Sequence, residues 1–386
     1  MAEIDSASCP MPPLGQSAPL VPPLYLSSVY TLPDLDALDR IMNAEQPGFI
    51  YARDAHPNAR YLADQLAAME SAAWAVVCGS GMAAITASLL ALVQQGDRIV
   101  ASNSLYGRTA QLLNQELSRF GVKTTIVDSR DLKQVAATLE TPAKVLFVET
   151  MSNPLLAVAD LPALAELAHA HGCRFVVDNT FATPVLTRPL ELGADFVVES
   201  LTKMIGGHSD VTLGLLCGKG DVLPQLNQTV SIWGLASNPF DCWLASRGVA
   251  TLPLRMRTAS ANAALLADWL AEQPAVSRVL YPGRPDHPDH EVACRLLKRG
   301  FGNMVAFELR GGRDAVNRLM RQATGIPFSP SLGNTTTTCS HPGTTSHRYV
   351  SPAEKRRQGI SDGLIRLSVG IEDPNQIQSA FAKGLA

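Results

Sequence analysis

The sequence predicts an α/β protein built on a large, mostly parallel sheet, with a smaller α/β module toward the C-terminus. Three observations carry this. From Ala75 onward, short apolar runs alternate with helical patterns, as in strands covered by helices on both faces. Glu149, Asp178 and the segment before Lys203 all fall at the ends of such runs; sites in such sheets form beyond the carboxyl ends of the strands. After Lys203 the alternation loosens, and a second set of strand patterns follows.

The expected strands of the large sheet are Ala75–Cys78, Arg98–Ala101, Thr124–Asp128, Val145–Glu149, Arg174–Asp178 and Phe196–Glu199, with Val211–Cys217 after the lysine. Between them, Met82–Val93, Thr109–Phe120 and Leu161–His171 read as helices. Further on, Asp241–Gly248 and Arg257–Ala271 read as two helices, and Asn303–Leu309 and Leu364–Val369 as strands of the smaller module. Pro327–Ser351 is dense in Ser, Thr, Gly and Pro and reads as one long loop, a kind of segment that usually serves function. Met1–Pro23, rich in Pro and Ser, reads as an extended arm. The resulting division is 1–55 for the arm, 56–250 for the large domain and 251–386 for the C-terminal domain.

The 386 residues suffice for about two domains. With 46% hydrophobic and 17% charged residues, the chain has the profile of a packed globular enzyme. A net charge of −3 gives no electrostatic case for nucleic acid or an anionic membrane. No apolar run approaches a membrane span, and the start lacks the basic and apolar segments of a signal peptide. The seven cysteines form no Cys-x-x-Cys, so neither a disulfide framework nor a zinc site is indicated. Reduced thiols fit a cytoplasmic location. His169 and His171 read as structural residues, and no metal is expected.

The most informative stretch is Ser200-Leu201-Thr202-Lys203, between Phe175–Thr180 and Gly206-Gly207-His208-Ser209-Asp210. A lysine amine flanked by hydroxyls, after a strand ending in Asp178, suits pyridoxal phosphate (PLP). The amine forms a Schiff base with the aldehyde, and the carboxylate keeps the pyridine nitrogen protonated. Gly79-Ser80-Gly81-Met82 lies at a strand-to-helix turn, where free amides at a helix start can cradle a phosphate. Such glycines also serve turn geometry alone, and the spacing lacks the third glycine of a dinucleotide site. Arg366, in an apolar strand-like run, needs a carboxylate partner if buried. Glu149 is either structural or a support of the site.

Taken with Tyr51-Ala52-Arg53, Leu105-Tyr106-Gly107, Glu149–Pro154, Ser331-Leu332-Gly333 and Leu364–Asp373, these motifs make nearly the whole chain resemble the Cys/Met-metabolism (transsulfuration) PLP enzymes. That family includes cystathionine γ-synthase, cystathionine lyases, methionine γ-lyase and O-acylhomoserine sulfhydrylases. The resemblance implies the aspartate-aminotransferase-like PLP fold, fold type I. It implies PLP on Lys203, which is also the mobile base, with Asp178 at the ring nitrogen and Tyr106 stacked on the ring near the substrate. Gly81, Met82, Ser200 and Thr202 would hold the phosphate. Tyr51 and Arg53 would reach the phosphate of a neighbouring subunit, within a homotetramer made of two dimers with shared sites. Asn153, Ser331 and Arg366 would surround a small sulfur amino acid, with Arg366 on its α-carboxylate. The implied activity is C–S elimination from cystathionine, methionine or a related thioether, at the γ-carbon. The alternative is γ-replacement, as in cystathionine γ-synthase or the sulfhydrylases, and an aminotransferase would share fold and cofactor. Three positions depart from the family's usual residues: Glu199 where many members have His, Arg108 where many have Gly and methionine γ-lyases have Cys, and Asn334–Thr337 where many have an acidic residue. Arg108 favours a substrate with a distal carboxylate.

Overall fold

A computed structural model describes residues 17–348 and 350–385. Two sheets organise it. The larger has seven strands: β1 (Trp74–Cys78), β2 (Arg98–Ser102), β3 (Lys123–Val127), β4 (Val145–Glu149), β5 (Arg174–Asp178), β6 (Phe196–Ser200) and β7 (Gly214–Gly218). Their order is β1-β7-β6-β5-β4-β2-β3. The run from β3 to β6 is parallel throughout, and β7 is antiparallel to both its neighbours.

Near-continuous apolar strands are what a sheet covered on both faces requires. Leu146, Val148, Phe175 and Val177 enter the core on one face; Val145, Phe147, Val176 and Phe196 enter the core on the other. In register, Glu149 lies opposite Asp178, and Asp178 opposite Val198. The carboxyl ends of β4, β5 and β6 therefore meet at one edge, where parallel sheets open a crevice.

The smaller sheet is antiparallel, in the order β10-β11-β9-β8. Its strands are β8 (Val276–Leu280), β9 (Met304–Leu309), β10 (Thr338–Ser340) and β11 (Leu364–Ser368). The sequence pattern did not reveal β8, where Ser277 and Arg278 interrupt the apolar residues. Nor did it reveal β10, which lies inside the segment expected as one loop and also contains the turn Pro342–Thr344. A three-residue strand carries too short a pattern to be read; it is held by β11, with Ser340 opposite Arg366.

Two helices differ from expectation. Asp241–Gly248 and Arg257–Ala271 are parts of one helix of 33 residues, Pro239–Ala271, which passes through Pro253. An interior proline removes a helical hydrogen bond. Here the break is bridged by packing of buried Leu252 and Met256, and by Arg255, which donates to Thr251 Oγ1 and the Gly248 carbonyl at 3.1 and 2.7 Å. The stretch expected as helix Thr109–Phe120 is an α turn (Gly107–Gln111), a π turn (Leu112–Glu116) and a 3-10 turn (Leu117–Phe120). Asn114 Nδ2 and Ser118 Oγ bond the carbonyls of Ala110 and Gln115 at 2.9 and 2.7 Å, and such side-chain bonds compete with the regular helical ladder.

Candidate active site

The crevice at the strand ends is a cavity of about 950 Å³. Gly81, Met82, Tyr106, Asn153, Asp178, Ser200, Thr202, Lys203 and Arg366 all line it. Ser331 joins them through its hydroxyl, 3.4 Å from Lys203 Nζ. Tyr51 and Arg53 do not line it; they lie together elsewhere on the surface, with the Arg53 guanidinium 5.3 Å from the Tyr51 ring centre.

One wall is the start of helix Gly81–Leu92. Ser80 caps it by accepting from the Ala83 amide at 3.0 Å. Gly81 and Met82 are then the first helical residues, whose amides have no intrahelical acceptor. Glycine is needed at 81: a Cβ there would fall 2.7 Å from Ser200 Cβ. The helix start, its positive dipole end and the Ser200 and Thr202 turn thus converge on one anion-sized corner.

The lysine is held by its turn. Arg255 is buried and donates to the carbonyls of Met204 and Ile205 at 2.6 and 2.9 Å, directly after Lys203. Gly333, at φ +86, passes so close that a Cβ would meet the Met204 nitrogen at 2.5 Å. Burial, and then the nearby Arg366 charge, lowers the Lys203 pKa, which favours a neutral amine.

Asp178 sits deep in the crevice. Its Oδ1 accepts from the Thr180 amide at 2.9 Å. Burial raises its pKa, and no ion pair among the described residues includes it. Glu149 is also raised, first by burial and then by Asp178. It accepts from the Tyr106 amide at 2.5 Å and so anchors the loop that presents the tyrosine ring, which is 38% exposed.

Arg366 reaches in from β11. It donates to Asn153 Oδ1 at 2.8 Å and to the Ser331 carbonyl at 3.2 Å. The residue is 3% exposed, no ion pair among the described residues includes it, and its Nε is buried without a partner. Burial pushes its pKa down to about 10.

Sequence reasoning missed Arg255, Thr180 and Glu70, and singled out Glu199 only as a departure from the family's usual His. An arginine set between Leu254 and Met256 was the available signal for Arg255. Glu70 announces nothing, because it closes a helix whose burial only the fold reveals.

This donor set fits PLP: an anion corner of free amides and hydroxyls, a buried carboxyl lacking a cation, and a lysine biased toward its neutral form. The fold and the cavity suit an enzyme with a lysine-bound cofactor. The family model for the Cys/Met metabolism PLP-dependent enzymes matches residues 12–386. The chain belongs to that family. It is 41% identical to an O-succinylhomoserine sulfhydrylase of Pseudomonas aeruginosa, covering 89% of this chain and 85% of that one. It is 38% identical to an L-methionine gamma-lyase of Porphyromonas gingivalis, over 95% of this chain and 92% of the relative. Among solved structures, a cystathionine gamma-synthase of Xanthomonas oryzae pv. oryzae in complex with cystathionine superposes with a TM-score of 0.90 at 35% identity, covering 95% and 92% of the two chains. The protein is a PLP-dependent enzyme of the lyase and γ-replacing kind.

Proposed function

We propose that this enzyme cleaves the γ-carbon–sulfur bond of a thioether amino acid such as cystathionine. The observation that carries the reading is Arg366, a buried guanidinium with an unpartnered Nε and, among the described residues, no ion-pair partner. A buried cation of this kind needs an anion, and an amino-acid α-carboxylate suits its fork. The cavity volume of about 950 Å³ accommodates a substrate with two amino-acid arms.

In this reading each residue has a defined task. Arg366 and Asn153 hold the α-carboxylate end, with Ser331 beside them. Bound PLP supplies an electron sink for charge developed at the substrate α-carbon. Asp178 keeps the ring nitrogen protonated, and Gly81, Met82, Ser200 and Thr202 hold the phosphate. Lys203, with its lowered pKa, takes the α-proton and then moves a proton at the β-carbon, since departure from the γ-carbon requires both. Tyr106 would stack on the ring and serve as acid or base at the sulfur. Tyr51 and Arg53 complete the phosphate site of a neighbouring subunit.

A second reading, γ-replacement on a homoserine ester with a distal carboxylate, is favoured by one observation. Arg108, Gln111, Asn114 and Gln115 form a polar wall of the cavity on the irregular helix.

The test is the keto acid released from L-cystathionine alone. 2-Oxobutanoate is expected. Pyruvate would reassign the enzyme to β-elimination. Neither product, with turnover of O-succinylhomoserine only when a thiol is added, would replace the first reading by the second.

A further inference from the structure

Two glutamates lie buried beside the strand end that carries Asp178, and no task assigned above uses them. Glu70 closes helix Pro57–Glu70 and is 0% exposed; Glu199 lies in β6 and is 1% exposed. Asn179 sits between them. Its Nδ2 is 3.0 Å from Glu70 Oε1, 3.4 Å from Glu199 Oε1 and 3.2 Å from the Thr187 carbonyl oxygen. Its Oδ1 accepts from Thr150 Oγ1 at 2.8 Å, which fixes the orientation of the amide.

An amide nitrogen carries two hydrogens, so three acceptors compete for two donors. The Oε1 atoms of Glu70 and Glu199 thus converge on one amide nitrogen, which brings the two carboxyl groups close together. The second oxygen of each, Oε2, is buried and receives no donor if both groups are ionised. Little surrounds the pair to compensate two charges. It faces Asp178 from β5, Cys217 from β7, and Arg188 and Glu191 beyond the helix end. Arg188 is the one cation among these, and it is already engaged by Glu191 at 3.0 Å. Two carboxylates buried around one amide nitrogen cannot both remain ionised. One proton between them supplies the missing donor and removes one charge.

We propose that Glu70 and Glu199 share one proton, and that this acid pair, gripping Asn179, positions the strand end that carries Asp178. The link is short. Asn179 follows Asp178, its amide donates to the Val198 carbonyl at 2.9 Å, and the Thr150 amide donates to the Asp178 carbonyl at 2.9 Å. Asn179 thus ties β4, β5 and β6 together where the crevice opens. Burial raises the pKa of both glutamates, of Glu70 to about 7 and of Glu199 well above the ordinary range, in line with one retained proton at neutral pH. The pair is a positioning device, and it holds for either reading of the substrate.

The test is infrared spectroscopy of the holoenzyme at neutral pH with 13C-labelled glutamate, which separates these groups from Asp178. The wild-type protein should show the carbonyl stretch of protonated glutamate. Glu199→Gln and Glu70→Gln should each lose intensity there, because the amide now supplies the hydrogen and the remaining carboxyl ionises. An absent wild-type band, or a band unchanged in whichever of these variants folds, overturns the shared proton. The positioning role is read separately. Glu199→Leu should lower kcat roughly tenfold at near-constant KM and shift the pH midpoint of the bound cofactor's absorbance, while Glu199→Gln returns both toward wild type. Equal profiles for the Leu and Gln variants would overturn that role.

Discussion

Arg366 shows how a single residue carries function by being left incomplete. A fully buried guanidinium normally spends its five donors on protein acceptors. This one reaches Asn153 and the Ser331 carbonyl and keeps Nε unsatisfied. Lysine at this position would retain a charge but lose the planar fork that pairs with a carboxylate. Arg366→Lys is therefore expected to lower kcat/KM roughly a hundredfold, about 2.7 kcal/mol of transition-state stabilisation. Most of the loss should fall in KM, while the absorbance of bound PLP stays as in the wild type, since Arg366 is assigned to the substrate. Steady-state kinetics with cystathionine and an absorbance spectrum check both halves; loss of the cofactor band would reassign Arg366 to cofactor binding. Chemistry-bearing residues of this kind were legible in the sequence because each stands in a motif: Lys203 after Ser-x-Thr, Asp178 at a strand end, Arg366 in an apolar run. Arg255 and Glu70 were not, because their importance comes from burial against segments distant in the chain.

Among the elements, the parallel strands were legible because a sheet buried on both faces writes runs of Val, Ile, Leu and Phe that few other arrangements produce. Val145–Glu149 and Arg174–Asp178 form with the bounds the sequence suggested. β10 was illegible because its order comes from β11 and not from its own three residues. The helix Pro239–Ala271 was misread at Pro253, a local signal that tertiary contacts override. Arg255 is one of those contacts, and its three carbonyl partners, Met204, Ile205 and Gly248, join the long helix to the lysine turn. Removing the guanidinium takes the Arg255 donors from the buried Met204 and Ile205 carbonyls. Arg255→Met is expected to destabilise the protein by roughly 3 kcal/mol. Because the lost bonds hold the turn after Lys203, the variant should also bind PLP more weakly under native conditions. Urea unfolding gives the first quantity and cofactor titration the second. A destabilised variant with unchanged PLP affinity would confine Arg255 to a structural role.

At the scale of the whole molecule, the surface carries features that the isolated chain does not explain. Leu20, Val21, Leu26, Val29, Leu35 and Met42 are exposed along the N-terminal segment. That segment is anchored at its root: Asn58 Nδ2 donates to the Pro23 carbonyl and Trp243 Nε1 to the Pro22 carbonyl, at 2.8 and 2.9 Å. Contiguous exposed apolar groups mark interaction surfaces. Tyr51 and Arg53 lie on the same surface, away from their own chain's cavity, which is the placement required of residues that serve a partner. A site shared across a two-fold interface has a distinctive consequence. If Arg53 serves the neighbouring subunit as proposed, Lys203→Ala disables its own site and Arg53→Ala the partner's, so each variant alone should be nearly inactive. In a hybrid dimer of the two, one site carries both defects and the other carries neither. Random mixing at equal amounts makes about half the dimers hybrid, so about a quarter of the sites are intact. Co-refolding the two inactive variants should therefore restore about a quarter of wild-type activity. If Arg53 serves its own chain, every mixed site keeps one defect and no activity returns.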